Sequence, residues 1–372
     1  MSGLAPMIER SSVIVCCGSG GVGKTTMAAV IGLEAARLGR RAVVVTIDPA
    51  RRLADALGLP DGLAGTPQRV ALGEHLDVDG GELSAMMLDA PATFDALVRR
   101  HAEDQDQVER ILANRLYRNM VGAMSGTQEY MAAEMLHELH ADDRFDLVVV
   151  DTPPSRNALD FLEAPDVLAR FLDHRLFRLL MLPTRSGLRL LGTAAQPMLR
   201  AIGRVVGSDV LADTVAFFQA FSGMEDGFGQ RAREVVALIR APETAFVVVA
   251  SPRADTIDEA AWFTRQLTEQ GVGVAGAVIN RMHPEMGSPD HVPGGEVAAA
   301  DASAATAGPG QEVLAALVAN LEHLRRMRAG ELEVAAPLID LVGSDRVATM
   351  PLLRRDVHDL EGLCTIGDHL LR

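Results

Sequence analysis

The chain has 372 residues, 48% of them hydrophobic, with a formal net charge of −15 and a pI near 5.1. That acidic balance excludes a broad basic face, so no nucleic-acid partner is expected, and it disfavours electrostatic docking on anionic lipid. No uninterrupted apolar run reaches membrane-spanning length, and the residues before Ser11 carry no signal-peptide pattern, which predicts a cytoplasmic protein.

Ser12–Cys17 is a short apolar run that reads as a buried strand. It feeds Gly18-Ser19-Gly20-Gly21-Val22-Gly23-Lys24-Thr25, which fits the pattern G-x-x-x-x-G-K-S/T, and a helical pattern follows over Thr25–Leu38. With a strand before it and a helix after it, this motif is specific. The loop's backbone N–H groups surround phosphates, the lysine reaches the β- and γ-phosphates, and the threonine hydroxyl binds magnesium. Gly18, Gly20, Gly21, Val22, Gly23, Lys24 and Thr25 are therefore candidate nucleotide contacts. Thr26 either reaches the α-phosphate or is an ordinary first-turn residue. Lys24 is the only lysine in the chain; every other one of its 35 basic residues is arginine. Arginine can replace lysine where either cation is solvated, but not as the compact point charge of a phosphate cradle. A Rossmann-type reading fails, because its fingerprint lacks the G-K-S/T ending.

Arg41–Thr46 is a second β-branched run, ending in Ile47-Asp48-Pro49, so the first elements form a βαβ unit with parallel strands. A carboxylate at Asp48 can orient and activate an attacking water. The alternative is a helix N-cap before Pro49. Leu83–Leu88 reads as a further strand, and Pro91–His140 is almost continuously helical in pattern. Asp146–Val150 is a strong strand ending at Asp151, the position expected for an acid that holds magnesium or its water shell. The alternative there is an aspartate capping the next turn. Thr152-Pro153-Pro154-Ser155 makes a stiff loop suited to sensing a γ-phosphate. Ser155–Arg240 is a longer helical insertion, followed by strands over Ala245–Ala250, Val274–Asn280 and Arg346–Met350. Helical patterns cover Ile257–Gln270, Gln311–Arg326 and Asp356–Leu371.

The expected fold is an α/β P-loop NTPase with a mostly parallel central sheet and a helical subdomain formed by two insertions. The nucleotide-binding core takes residues 1–90, 146–156 and 241–372, and the insertions take 91–145 and 157–240. Glu285–Gly310, rich in Gly, Ala, Ser, Pro and Asp, reads as a disordered loop. Met86, Met87, Met120, Met124, Met131, Met135, Met181, Met198 and Met224 lie in or beside the helical stretches. Together with Leu168–Leu182 and Leu188–Val206 they either line a groove for an apolar helix or pack against one another in a bundle. Cys16, Cys17 and Cys364 cannot build a disulfide framework or a C-x-x-C zinc pair, and Cys16 and Cys17 read as buried strand residues.

The loop together with Thr46-Ile47-Asp48-Pro49-Ala50 and Asp151-Thr152-Pro153-Pro154-Ser155 resembles the ArsA-type ATPases. These are the arsenite-pump ATPases and the ATPases that target tail-anchored membrane proteins. Val278-Ile279-Asn280-Arg281 is similar to the family's adenine-binding segment, and Met350-Pro351-Leu352-Leu353 to the loop flanking the base. Gly126-Thr127-Gln128-Glu129-Tyr130 and Asn157-Ala158-Leu159-Asp160-Phe161-Leu162 resemble the actinobacterial branch. The resemblance implies ATP and Mg2+ as cofactors, with Lys24 and Thr25 on the phosphates and magnesium. It makes Asp48 the first-switch aspartate that activates water and places Asp151 in the second switch. Asn280 would read the adenine edge, with Arg281 and Pro351 beside it. The family acts as dimers that close on ATP and reshape a helical client site, which implies a hydrophobic protein client such as a membrane-protein segment.

The sequence departs from the family pattern in four places. Ser19 stands where the family carries a signature lysine that crosses the dimer interface. Arg51-Arg52 replace the usual His-Asn, and Arg156-Asn157 replace Gly-His. Both the zinc pair and the arsenite-binding cysteines of the family are absent, which disfavours an arsenite-pump subunit. The Ser19 departure leaves homodimer and heterodimer open, the latter with a paralogous subunit that keeps the lysine. Compensation in cis by Arg51, Arg52 or Arg156 is a further alternative. So is a regulatory or metabolic switch with slow hydrolysis.

Overall fold

A computed structural model describes residues 4–48, 52–73, 80–115, 117–118, 127–153, 161–164, 216–217, 220–286, 309–353, 357 and 359–371. Its strands are β1 (Val13–Gly18), β2 (Arg41–Thr46), β3 (Gln68–Arg69), β4 (Glu82–Met87), β5 (Leu147–Asp151), β6 (Thr244–Ala250), β7 (Val274–Met282) and β8 (Val347–Pro351). They form one sheet in the order β3-β4-β2-β5-β1-β6-β7-β8, parallel throughout except for the short antiparallel edge β3–β4. Every residue of β1, β5 and β6 is buried. Strands covered on both faces read as continuous apolar runs rather than alternating ones, which is why these three are so plain in the sequence.

Helices cover both faces. On one side α1 (Leu4–Arg10), α2 (Lys24–Arg37), α3 (Arg52–Ala56) and α10 (Leu360–Leu370) share a core with Ile14, Val44, Val149 and Val247. On the other, Val15, Val45, Val150 and Val248 pack with the remaining helices. Those are α4 (Ala90–His101), α5 (Gln105–Ala113), α6 (Thr127–His140), α7 (Glu225–Ile239), α8 (Ala254–Glu269) and α9 (Pro309–Val342).

Helices from both insertions pack together. The Phe228 ring on α7 lies 6.4 Å from that of Phe94 and 5.2 Å from those of His101 and Phe221. Arg231 on α7 donates to the buried Glu134 on α6 at 2.7 Å. Met131, Met135 and Met224 belong to this core, so these methionines pack inward rather than lining a groove. Leu168–Leu182, Leu188–Val206, Met120, Met124, Met181 and Met198 lie outside the described residues.

Several elements differ from expectation. Within Pro91–His140, read as almost continuously helical in pattern, the described residues form the separate helices α4, α5 and α6. Asp104 opens α5, its side chain accepting from Gln107 N, as Asp89 opens α4 by accepting from Ala92 N. Such local side-chain bonds offer the backbone a stop that hydrophobic periodicity does not register. The helix expected over Gln311–Arg326 runs from Pro309 to Val342, with Gly330 and Pro337 inside it, because Ala335, Leu338 and Val342 are buried against the core. Residues 287–308 of the expected disordered loop lie outside the described residues. Helix α1 is too short for periodicity to reveal, although Leu4, Met7 and Ile8 are all buried.

Candidate nucleotide site

The register of the central strands assembles the site. Asp151 at the end of β5 lies opposite Cys16 on β1 and Thr46 on β2, so the ends of all three strands meet at one edge. The glycine loop leaves β1 at this edge. Gly18 has φ 153°, and a Cβ there would collide with Val249 O on β6, so only glycine lets the loop turn so close to its neighbour. Gly23 has φ 100° and immediately precedes α2. No side chain caps α2 and no acid lies in its first turn, which leaves the positive end of the helix open to an anion. Among the described residues, chain neighbours aside, no atom stands within 4 Å of a Cβ built on Gly20 or Gly21.

Lys24 is 8% exposed and its ammonium donates to Ser19 O at 2.8 Å. Burial lowers its pKa from the ordinary lysine value, and the charge of Asp151 works against that. Asp151 is 1% exposed. Its Oδ2 accepts from Thr25 Oγ1 at 2.8 Å and from Thr46 Oγ1 at 3.0 Å. Its Oδ1 is buried with no hydrogen-bond partner among the described residues. Burial pushes the carboxyl up to about 6, opposed by the two hydroxyls and Lys24 and assisted by Asp48. Asp48 lies two residues beyond the end of β2, and Ile47 N donates to Asp151 O at 3.2 Å, so the two carboxylates belong to one site. Gln128 at the start of α6 donates to Ile47 O at 3.3 Å. Thr152 donates through its hydroxyl to Cys16 O at 2.8 Å, fixing the start of the loop after β5.

A cleft of about 350 Å³ opens over the loop and α2, lined by Gly21, Gly23, Lys24, Thr25, Thr26 and Arg281 together with Arg52, Asp55 and Val357. Asn280 lies against the loop, its Nδ2 donating to Val22 O at 2.8 Å. Pro351 ends β8 and is not among the cleft-lining residues; Val357 takes that side. Ser19, in the place of the family's signature lysine, is 5% exposed, and its hydroxyl donates to Glu259 on α8 at 2.8 Å. Arg51 and Arg156 lie outside the described residues. No local pattern points to Glu259, which is 240 residues from Ser19. Thr46 could have been inferred from its place as the last residue of β2.

Cys16 and Cys17 are buried in β1. Burial pushes the Cys16 thiol up and that of Cys17 to about 12, which keeps both protonated and poor as soft ligands. No described helix is long and apolar enough to cross a membrane.

A glycine loop between a central strand and a helix, facing an aspartate at the end of the neighbouring strand, defines a P-loop nucleoside triphosphatase. Residues 11–291 match the family of anion-transporting ATPases. The chain belongs to this ArsA family and is an ATP-binding, ATP-hydrolysing enzyme. It is 24% identical over 374 residues to ATPase GET3 of Malassezia globosa, covering 99% of this chain and 94% of that one. It is 24% identical over 281 residues to the putative arsenical pump-driving ATPase 1 of Aquifex aeolicus, covering 73% and 64%. Similarity to an uncharacterised protein of Streptomyces coelicolor is 32% identity over 273 residues, covering 73% and 63%, in keeping with the expected likeness to actinobacterial members.

Proposed function

We propose that the chain binds ATP with magnesium, hydrolyses it through Lys24, Asp48 and Asp151, and works as a dimer whose nucleotide state controls the handling of a hydrophobic client. The observation that carries the site reading is the buried, unpartnered Oδ1 of Asp151 beside the Thr25 hydroxyl. An orphaned carboxylate oxygen at the end of a buried strand fits a divalent cation or its water shell. The open helix end and the free space over Gly20 and Gly21 fit a triphosphate. Magnesium, when bound, neutralises phosphate charge in the transition state.

The residues divide the work. Lys24 exchanges Ser19 O for phosphate oxygen, and Thr25 and Asp151 together hold the cation. Asp48 accepts the proton of the attacking water. Thr152, tied to Cys16 O, fixes the approach to the second switch. Asn280 and Pro351 are assigned to the adenine side, with Arg281 lining the cleft beside the loop, and ATP is preferred over GTP because no guanine-reading N-K-x-D motif is present.

The client reading rests on the family resemblance and the two helical insertions; a membrane-protein segment is the first choice. Buried thiols disfavour an arsenite-pump subunit. A regulatory switch with slow hydrolysis remains the second reading, supported by Ser19. The test is an ATPase assay with and without an apolar transmembrane peptide in detergent, with GTP as competitor. Magnesium-dependent turnover altered by the peptide supports the proposal. Turnover indifferent to every peptide, in a chain that instead co-purifies with a soluble partner, would favour the switch. Displacement of ATP by an equal concentration of GTP would refute the base preference.

A further inference from the structure

Both ends of the Asn280 side-chain amide are engaged. Nδ2 donates to Val22 O at 2.8 Å, and Oδ1 accepts from Arg281 N at 2.9 Å. Exchanging the amide's O and N would break both bonds, so the pair fixes its orientation. A Cβ on Gly23 would meet the same amide, so the loop backbone lies directly against Asn280.

Arg281 is the one non-glycine residue with positive φ among the described residues, at 65°. Arginine in the left-handed region is strained, and such strain persists where the surroundings over-determine it. Arg281 lines both clefts beside the phosphate loop. One cleft includes Gly23, Lys24 and Thr25, and the other Gly20 and Val22. The guanidinium has no ion pair among the described residues.

We propose that Asn280 is a positioning residue that ties the phosphate loop at Val22 to Arg281, and that Arg281 is a phosphate-binding cation supplied in cis. The assignment rests on the ATP site proposed above. It goes beyond the adenine side, because loop geometry and a guanidinium act on the triphosphate whatever base it carries. It also places a second cation at the loop of a chain that has serine at position 19.

Calorimetric titration with magnesium tripolyphosphate, which carries phosphates and no base, beside magnesium ATP separates the two roles. Arg281→Gly removes the cation while allowing the positive φ, so it should melt no lower than the parent. It should bind tripolyphosphate and ATP more weakly by a similar factor, on the order of ten-fold for one charge-assisted contact. Arg281→Lys should recover most of that loss. Asn280→Asp keeps the acceptor for Arg281 N–H but sets an oxygen against Val22 O, and should weaken tripolyphosphate as well. Asn280→Ala combined with Arg281→Gly should lose less than the product of the single losses, because one acts through the other. Tripolyphosphate affinity unchanged in Arg281→Gly while ATP affinity falls would overturn the assignment and leave Arg281 a base contact. A parent chain that binds neither ligand would overturn the ATP site itself, and this assignment with it.

Discussion

Burial pushes the Asp151 carboxyl up to about 6, although the Thr25 and Thr46 hydroxyls and the Lys24 charge all pull it down. Its folded value therefore lies above its unfolded one, so between pH about 4 and 6 the folded chain holds a proton that the unfolded chain has lost. Stability falls as pH rises through that window, by on the order of 3 kcal/mol from this group. Asp151→Asn should thus make the nucleotide-free chain more stable than the parent at pH 7, with the gap closing toward pH 4. Urea midpoints at the two pH values check this. The neighbouring roles should separate by mutation. Lys24→Ala should lose nucleotide binding, whereas Asp48→Asn should keep it and hydrolyse roughly 100-fold more slowly, the usual scale for losing general-base help. Equal loss of binding in both, measured by titration with labelled ATP, would refute the division. Lys24, Thr25 and Asp151 were legible because each sits in a short local pattern. The second hold of Thr46 on Asp151, the Ser19–Glu259 bond and the Asn280–Val22 bond span 105, 240 and 258 residues, and only the folded sheet brings those partners together.

The helices α6 and α7 meet through a buried ion pair, with Arg231 12% and Glu134 2% exposed at the side chain. Burial raises the Glu134 carboxyl, and Arg231 is the main group holding it down. Removing the cation leaves a carboxylate without its main partner in the subdomain core, so Arg231→Ala should cost about 3–5 kcal/mol. The same loss lets the Glu134 value rise further, so the penalty should be larger at pH 8 than at pH 5, where the carboxyl can take up a proton. Denaturant unfolding at both pH values tests the magnitude and the sign. At this scale the parallel strands were the easiest to read, because burial on both faces makes each one a continuous apolar run. Helix ends were harder. Asp89, Asp104 and Asp359 start their helices by accepting backbone N–H groups, which is a matter of geometry rather than periodicity. The far end of α9 passes Gly330 and Pro337 because its buried face outweighs two poor helix formers.

At the scale of the molecule, the strand order places β1, and the glycine loop that leaves it, between β5 and β6. Gln128 joins the first insertion to the site, with α6 touching the backbone just before Asp48. The fold class followed from local motifs, but the client surface did not, because apolar helical faces look alike in sequence whether they meet each other or a partner. The dimer proposal belongs here too. A homodimer would have serine at both crossing positions. The isolated chain should therefore turn over slowly, with Ser19→Lys or a lysine-bearing partner from the native cell raising the rate, on the order of 10³-fold or more for a cation added in phosphoryl transfer. Brisk turnover by the chain alone, unchanged by either, would remove the asymmetric-pair idea. The lone lysine has one more consequence. The protein's only side-chain amine lies beneath the phosphate loop, where burial favours its neutral form. An acyl group on a lysine of this protein can only be on Lys24, in the proposed nucleotide site. A single mass shift would then report an inactivated molecule, and protection from that shift would report an occupied one.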